Sequence, residues 1–310
     1  MKENKKIIGI DIGQDLTKVC TEDSRIVFSS AVCFFLKSKA AQYKAEPIEV
    51  NGNKFLVGET AKKHGGIINS LSSSFVASDP WLSILFRSIM VNDINDADII
   101  LGIPNGVFSR KYVCEIKNNI EHAFLEKKPG LYTNIQVLPQ GVGAYYAHIK
   151  GNPNDRNKRI AFIDCGYSNI NFTVFDDNCY IETEAETMCL GISNLTNEVR
   201  KGFFRKYMFY IGHSDIWGAL EKEQNEIEFR NHTYHFDIAS YIDWYAQWVS
   251  SDIEHFVEKV APYKAVLIGG AARYINKIIK TRHHLDVMDD PIMANSIGYM
   301  HYALSNSEVD

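Results

Sequence analysis

The sequence predicts an α/β fold in which two lobes face each other across a cleft. Three observations predict it: two apolar strands that each end in Asp-x-Gly, a Gly-Gly strand end late in the chain, and a strand–turn pattern that occurs twice. The first strand end is Ile7-Ile8-Gly9-Ile10-Asp11-Ile12-Gly13, continuing into Gln14, Asp15 and Lys18. The second is Ile160-Ala161-Phe162-Ile163-Asp164-Cys165-Gly166, continuing into Tyr167, Ser168 and Asn169. Each places a carboxylate and turn N–H groups at one edge of a sheet, an arrangement suited to phosphates and their magnesium ion. The third is Val266-Leu267-Ile268 followed by Gly269, Gly270 and Ala271, where glycine lets backbone lie flat against a base or ribose.

The repeated pattern supplies the elements in order. Residues 6–12, 16–21 and 25–30 read as a three-stranded meander, and residues 160–165, 170–175 and 179–185 read as another. Asp176-Asp177-Asn178 marks a hairpin turn in the second. A later apolar strand follows in each half, at 98–103 and 264–268. A helix begins near Ser109 with Val113, Ile116, Ile120 and Phe124 on one face. Another begins with Ser193 as its cap and Ile192, Leu195, Val199 and Phe203 in register. The longest covers about 238–260, and helical spacing assigns Trp244, Tyr245 and Trp248 to the core rather than to a stacking platform.

These elements divide the chain into a first lobe, 1–157, and a second, 158–310, joined by the polar connection Gly151 to Asn157. Residues 31–90, with a hairpin from Ile48 to Val57 and a loose run from Ser70 to Ser74, read as an insertion in the first lobe. The mostly helical residues 191–261 read as an insertion in the second, and the C-terminal helix is expected to pack back on the first lobe.

Composition narrows the function. A chain of 310 residues is long enough for two lobes, and a net charge of −5 argues against a surface dedicated to nucleic acid. The apolar run after Lys6 is interrupted by Asp11, so it reads as a strand and not as a leader or membrane segment. Six cysteines without a Cys-x-x-Cys pair fit reduced thiols in a cytoplasmic protein. His232-x-x-His235 lacks the further ligands of a tetrahedral zinc site, and His283-His284 reads as an exposed loop pair.

Phosphoryl transfer needs a metal, donors around the oxygens and an oriented attacking group. Asp11 and Asp164 are the candidate magnesium residues, acting largely through water. Backbone N–H groups of Gly13, Gln14, Asp15, Gly166, Tyr167 and Ser168 are candidates for the phosphates. Lys18 either points back into the cleft or stands solvated on its strand. Gln140, in Leu138-Pro139-Gln140-Gly141-Val142-Gly143-Ala144, either orients water or caps a helix.

The order of these motifs resembles the actin-like ATPase superfamily, and within it plasmid-segregating ParM-type proteins and small archaeal actin-like proteins. Pro139 to Ala144 resembles that group's first connecting helix, and Pro291-Ile292-Met293-Ala294-Asn295-Ser296-Ile297-Gly298-Tyr299 is similar to its C-terminal Ala-Asn-x-x-Gly signature. Phe55-Leu56-Val57-Gly58-Glu59-Thr60-Ala61 resembles the end of the small insertion. The resemblance implies a duplicated ribonuclease-H-like fold, two lobes with small inserted subdomains around a nucleotide cleft. It implies ATP, with GTP as the alternative, and Mg²⁺. Phosphate positions map to Asp11, Gly13, Gln14, Lys18, Asp164, Gly166 and Ser168, with Tyr167 and Asn169 in the same turn. Water orientation maps to Gln140, the adenosine turn to Gly269, Gly270 and Ala271, and the ribose-facing helix to Thr196–Lys201 with Glu198 and Arg200. Polymerisation with other copies of the chain, a small DNA-binding adaptor as partner, and plasmid or phage-like DNA segregation in the cytoplasm are the implied roles, without direct nucleic-acid or membrane binding.

The second phosphate turn departs from the pattern. Asn169 and Asn171 stand where Thr and Asp are common, and Tyr167 replaces a small or acidic residue, which implies slow hydrolysis or a differently held water. Two alternatives therefore remain: a nucleotide-sensing adaptor or chaperone-like module with little turnover, and a small-molecule kinase of the same superfamily fold.

Overall fold

The computed structural model describes residues 6–43, 45–66, 75–91, 97–127, 134–222 and 224–307. The run from Ser70 to Ser74 and the side chain of Phe124 lie outside the described residues.

The first half contains β1 (Lys6–Ile12), β2 (Leu16–Cys20), β3 (Arg25–Ser29), β4 (Val32–Phe34), β5 (Ile48–Val50) and β6 (Asn53–Val57). The short α1 (Glu59–Lys63), α2 (Asp79–Met90), β7 (Ala97–Ile103), α3 (Arg110–Lys127), β8 (Ile135–Pro139) and α4 (Val142–Gly151) follow. The second half contains β9 (Ile160–Cys165), β10 (Ile170–Asp176), β11 (Cys179–Tyr180), β12 (Glu186–Met188), α5 (Ile192–Tyr207) and α6 (His213–Lys222). It continues with β13 (Glu226–Phe229), β14 (His232–His235), α7 (Ala239–Val260), β15 (Lys264–Ile268), α8 (Ala272–Ile278), β16 (Asp286–Val287) and α9 (Ala294–Ser307).

The two main sheets share one topology. The first has the order β3-β2-β1-β7-β8 and the second β11-β10-β9-β15-β16, with β12 also pairing β10. In each, an antiparallel hairpin opens the sheet and two parallel strands complete it. The expected duplication is therefore real at the level of strand order. Its second meander differs in the third strand: of the expected 179–185 only Cys179–Tyr180 (β11) is strand, a 3₁₀ turn follows at Glu182–Glu184, and β12 pairs β10 just beyond it at Glu186–Met188. Arg159 explains the break, because its guanidinium bonds both Asp176 and Glu184 and draws the chain off the ladder at Glu184.

Turn chemistry follows the sequence closely. Asn51 and Gly52 both have positive φ in the β5–β6 hairpin, and Asp177 and Asn178 do so in the β10–β11 hairpin, as two-residue hairpins require. Ser109 caps α3 by accepting the Tyr112 N–H at 3.3 Å. Ser193 does not cap its helix. Gly191 holds the N-cap position because any side chain there would overlap the backbone of Tyr167 and Ser168, so the close crossing sets the helix start. On α7, Tyr245 is fully buried while Trp244 and Trp248 are 40% and 56% exposed, which corrects their assignment to the core. They lie four residues apart on the face away from Val249 and Ile253, so the aromatic pair belongs to the surface.

Alternation along β1 determines what reaches the cleft. Ile8, Ile10 and Ile12 face the first core, with Leu82, Leu85, Ile99 and Leu101. Ile7, Gly9 and Asp11 therefore face the other side, where Ile7 meets Met300 of α9 and Met293 just before it. The helices that close the two sheets are exchanged. Helix α4, which follows the first sheet, buries Val142, Tyr145 and Ile149 against Ile160, Phe162 and Val266 of the second. Helix α9, at the end of the second half, packs on β1, β2 and β7 of the first, and α4 and α9 pack on each other.

That exchange depends on missing side chains. A Cβ on Gly298 would overlap the Gly143 carbonyl, and one on Gly143 would overlap the Asn295 carbonyl. Replacing Gly298 with valine should thus cost about 3 kcal/mol or more through overpacking. Thermal unfolding should show a large drop in midpoint; a wild-type midpoint would contradict this account of the crossing.

Candidate functional site

The ends of β1 and β9 carry matching turns. Gly13 N–H donates to the Leu16 carbonyl at 3.0 Å, and Gly166 N–H donates to the Asn169 carbonyl at 2.9 Å. These two N–H groups close their own turns, which corrects the expectation that they serve a phosphate. Among the described residues, the N–H groups of Gln14, Asp15, Tyr167 and Ser168 have no protein acceptor, so each turn keeps donors free beside its carboxylate. The first turn is braced by Ser30, whose hydroxyl donates to the Gly13 carbonyl at 2.7 Å and whose N–H donates to the Asp15 carbonyl at 2.8 Å. The second is braced by the start of α5, where Gly191 and Ser193 donate to Ser168 and Tyr167.

Asp11 is 3% exposed and engages two side chains. Lys18 Nζ contacts its Oδ2 at 3.0 Å, and Gln140 Nε2 donates to its Oδ1 at 3.0 Å. Lys18 is register partner of Asp11 across β1 and β2, so both project from the same face. Lys18 thus points at the Asp11 carboxylate and is not a solvated strand residue. Asp164 accepts from Asn295 Nδ2 at 2.9 Å. Asn295 also accepts the Gly141 N–H at 3.1 Å, next to the Gln140 that bonds Asp11, and the charges of Asp11, Asp164 and Lys18 act on one another, so the two strand ends lie near each other.

Electrostatics follow from that proximity. Burial, with the Asp11 charge added, lifts the Asp164 carboxyl from the ordinary 3.8 to about 6, against the opposing pull of Lys18 and Asn295. Burial disfavours the charge on Lys18, yet Asp11 and Asp164 outweigh it and hold the ammonium above its usual value. Burial pushes the Cys165 thiol well up, so the residue between Asp164 and Gly166 is an inert strand thiol.

The third turn lies where the sequence requires it. Gly269 has φ +91°, and a Cβ there would overlap Asp164 Oδ1 and the Cys165 carbonyl. Ala271 N–H donates to the Cys165 carbonyl at 3.0 Å, and Gly270 is open to solvent. Gly269 thus abuts the Asp164 carboxylate directly.

Gln140 leaves β8 and is held from several sides. Its N–H donates to the Ile103 carbonyl at 2.8 Å, and its own carbonyl accepts from Thr173 Oγ1 at 3.2 Å. Asn171 Nδ2 donates to its Oε1 at 3.5 Å, and Thr187 Oγ1 donates to Asn171 Oδ1 at 2.9 Å. The side chain faces the cleft and is no helix cap. Asn171 and Thr187 are contributors that no motif announces: Asn171 reads in sequence only as a departure, and Thr187 lies in no motif.

The α5 candidates divide. Glu198 engages Lys201 Nζ at 2.7 Å. The Arg200 guanidinium lies over the Tyr210 ring, 4.8 Å from its centroid, and its buried Nε has no partner among the described residues. Burial and Arg200 both hold His213 below its usual value, while Asp15 opposes them. Asp15 also acts on Tyr167 across the cleft. His213 ties this side together, with its ring 6.2 Å from that of Tyr167 and its Nδ1 3.0 Å from the Thr196 hydroxyl of α5.

The residues fit a magnesium–nucleotide. Two carboxylates suit a hydrated cation, free turn N–H groups suit phosphate oxygens, and Gly270, with nothing within 4 Å of where a side chain would begin, leaves backbone open beside them. Other clusters fit less well. Two side-chain-lined hollows lie elsewhere, beside Phe209 and Arg230 and beside Asn105 and Thr187, and neither joins opposed acids to a buried cation. Glu254, Glu258 and His283 come within metal-ligand spacing, but Arg282 binds both glutamates in an exposed ion-pair network. His232 and His235 lie on β14, where residues three apart point to opposite faces.

Residues 9–143 match the family model described as "Actin like proteins N terminal domain". No curated protein matches by sequence. Among solved structures, an archaeal actin homolog in complex with ADP is similar over 97% of this chain and 99% of its own, with TM-score 0.74 and 17% identity. A 15-stranded ParM filament from Clostridium botulinum is similar over 98% and 100%, with TM-score 0.73 and 18% identity. Bacillus thuringiensis ParM with ATP is similar over 99% and 100%, with TM-score 0.68 and 15% identity. The chain has the actin-like fold.

In nucleotide-free protein, raising the Asp164 pKa means the folded state holds this proton more tightly than the unfolded chain. The group's contribution to stability is full below about pH 4 and is lost as pH rises through about 6. Asp164→Asn should therefore gain stability relative to wild type between pH 4.5 and 7, on the order of 1–2 kcal/mol after discounting for solvent access. A difference in thermal midpoint that stays constant over that range would contradict it.

Proposed function

We propose that this chain, built on the actin-like fold with an actin-like N-terminal domain at residues 9–143, binds ATP with magnesium and polymerises into filaments whose turnover follows hydrolysis. The observation that carries this reading is the group Asp11, Lys18 and Asp164, which combines two strand-end acids and one buried ammonium at facing turns. Lobes of residues 1–157 and 158–310 would close on the nucleotide, with α4 and α9 as the exchanged connection.

Asp11 and Asp164 would hold magnesium, largely through water, and the ion would neutralise phosphate charge. The free N–H groups of Gln14, Asp15, Tyr167 and Ser168 would receive phosphate oxygens, with Lys18 beside them. Gly269, Gly270 and Ala271 would lie along adenosine, and Arg200, with its partnerless Nε, would approach from α5. Gln140, fixed by Asp11 and Asn171, would orient the attacking water through its remaining hydrogen-bonding capacity.

Closure on ATP would favour a polymer-competent arrangement and hydrolysis would relax it. Repetition of a head-to-tail contact that does not close gives a filament. Similarity to ParM structures supports segregation of plasmid or phage-like DNA through a small DNA-binding adaptor, in the cytoplasm. Among the described residues, no helix is long and apolar enough to cross a membrane.

One observation favours a second reading, a nucleotide-sensing adaptor with little turnover. Asn171 brings a neutral amide against Gln140, where a carboxylate would give stronger polarisation.

With ATP and Mg²⁺, light scattering should rise and polymer should sediment at micromolar concentration. A chain that stays monomeric with ATP, ADP and a non-hydrolysable analogue contradicts the filament reading. Gln140→Ala should slow phosphate release by about tenfold or more while still assembling. Phosphate release at the wild-type rate would remove the role given to Gln140.

A further inference from the structure

Tyr299 is fully buried on α9, and its hydroxyl has no hydrogen-bond partner among the described residues. Phenylalanine would fill the same space without leaving a polar atom unsatisfied, so packing does not account for the hydroxyl. Its position is specific. The hydroxyl occupies the notch left by Gly102, where a Cβ would overlap it. Gly102 is the register partner of Asp11 between the parallel strands β1 and β7, and such partners project from one face of the sheet. The phenol oxygen therefore lies beneath the same face from which the Asp11 carboxylate rises.

Helix α9 thus addresses both carboxylates. Asn295 donates to Asp164 at 2.9 Å, and Tyr299, one turn later, presents its hydroxyl on the Asp11 side. Burial and the charges of Asp11 and Asp164 hold the phenol protonated, which keeps it a donor. Asp11 already receives Lys18 and Gln140, and no direct bond joins it to Tyr299. The acceptor the hydroxyl lacks would be a water of the carboxylate site.

We propose that Tyr299 is a positioning residue of the metal–phosphate site, donating its hydroxyl to the water shell of a divalent cation held by Asp11 and Asp164. The inference rests on the nucleotide reading and adds to it a residue that touches the cation only through water. Outer-shell donors of this kind orient metal-bound groups, and their loss weakens metal affinity.

The test uses the full chain and the variant Tyr299→Phe, with a fluorescent ATP analogue titrated in Mg²⁺ and again in EDTA. The variant should bind about tenfold more weakly in Mg²⁺. In EDTA it should bind as wild type does, and its nucleotide-free thermal midpoint should be unchanged or higher. Equal affinity in Mg²⁺ would overturn the inference alone and leave the hydroxyl with a structural water. An equal loss in Mg²⁺ and EDTA would overturn it too, because the cation would not be involved. Wild-type protein that shows no Mg²⁺-dependent binding would overturn the nucleotide reading and this inference together.

Discussion

The buried ammonium of Lys18, paired with the Asp11 carboxylate and within the field of Asp164, is the interaction on which the rest of the structure depends. Buried charges are costly unless they are paired and hydrogen-bonded. Asp11 meets that condition through Lys18 and Gln140, and Asp164 through Asn295 and the field of Lys18. Two acids against one base leave the groove short of positive charge, a deficit that a divalent cation corrects. Burial first, and then the Asp11 charge, lift the Asp164 carboxyl to about 6.

Bringing two strand ends face to face is a demand on the whole fold. The exchanged helices meet it: α4 leaves the first sheet to cover the second, and α9 returns from the second to cover the first. Gly9, Gly143 and Gly298 permit the approach, since a Cβ on any of them would overlap facing backbone. Helix α9 then delivers Asn295 to Asp164. The Ala-Asn-x-x-Gly segment is thus structural and functional together, because the glycine that allows the crossing places the asparagine at the site.

Much of this was legible in the sequence because local chemistry determines it. Period-two apolar runs ended in acid and glycine, and both hairpin turns carried residues that accept positive φ. Strand order repeated because the strand pattern repeated. The misreadings arose where tertiary contact overrode local signals. Ser193 looked like a cap, but the tight crossing at Gly191 set the helix start. Trp244 and Trp248 fit helical spacing, yet spacing cannot say which face meets the core. The N–H groups of Gly13 and Gly166 seemed available, but each closes its own turn. Asn171 read only as a departure and Thr187 not at all, because the contacts that give them a role join separate strands, and nothing local marks the Tyr299 hydroxyl. Only coordinates reveal an amide oriented by a neighbouring hydroxyl, or a hydroxyl left without one.

The central claim is that the turns after β1 and β9 grip one metal–triphosphate. A crystal structure of the protein with Mg²⁺ and a non-hydrolysable ATP analogue tests it most directly. The account predicts one ion whose ligands or bound waters contact both Asp11 and Asp164, with the adenosine beside Gly269. A nucleotide bound outside this groove, or an ion contacted by only one of the two aspartates, would contradict it.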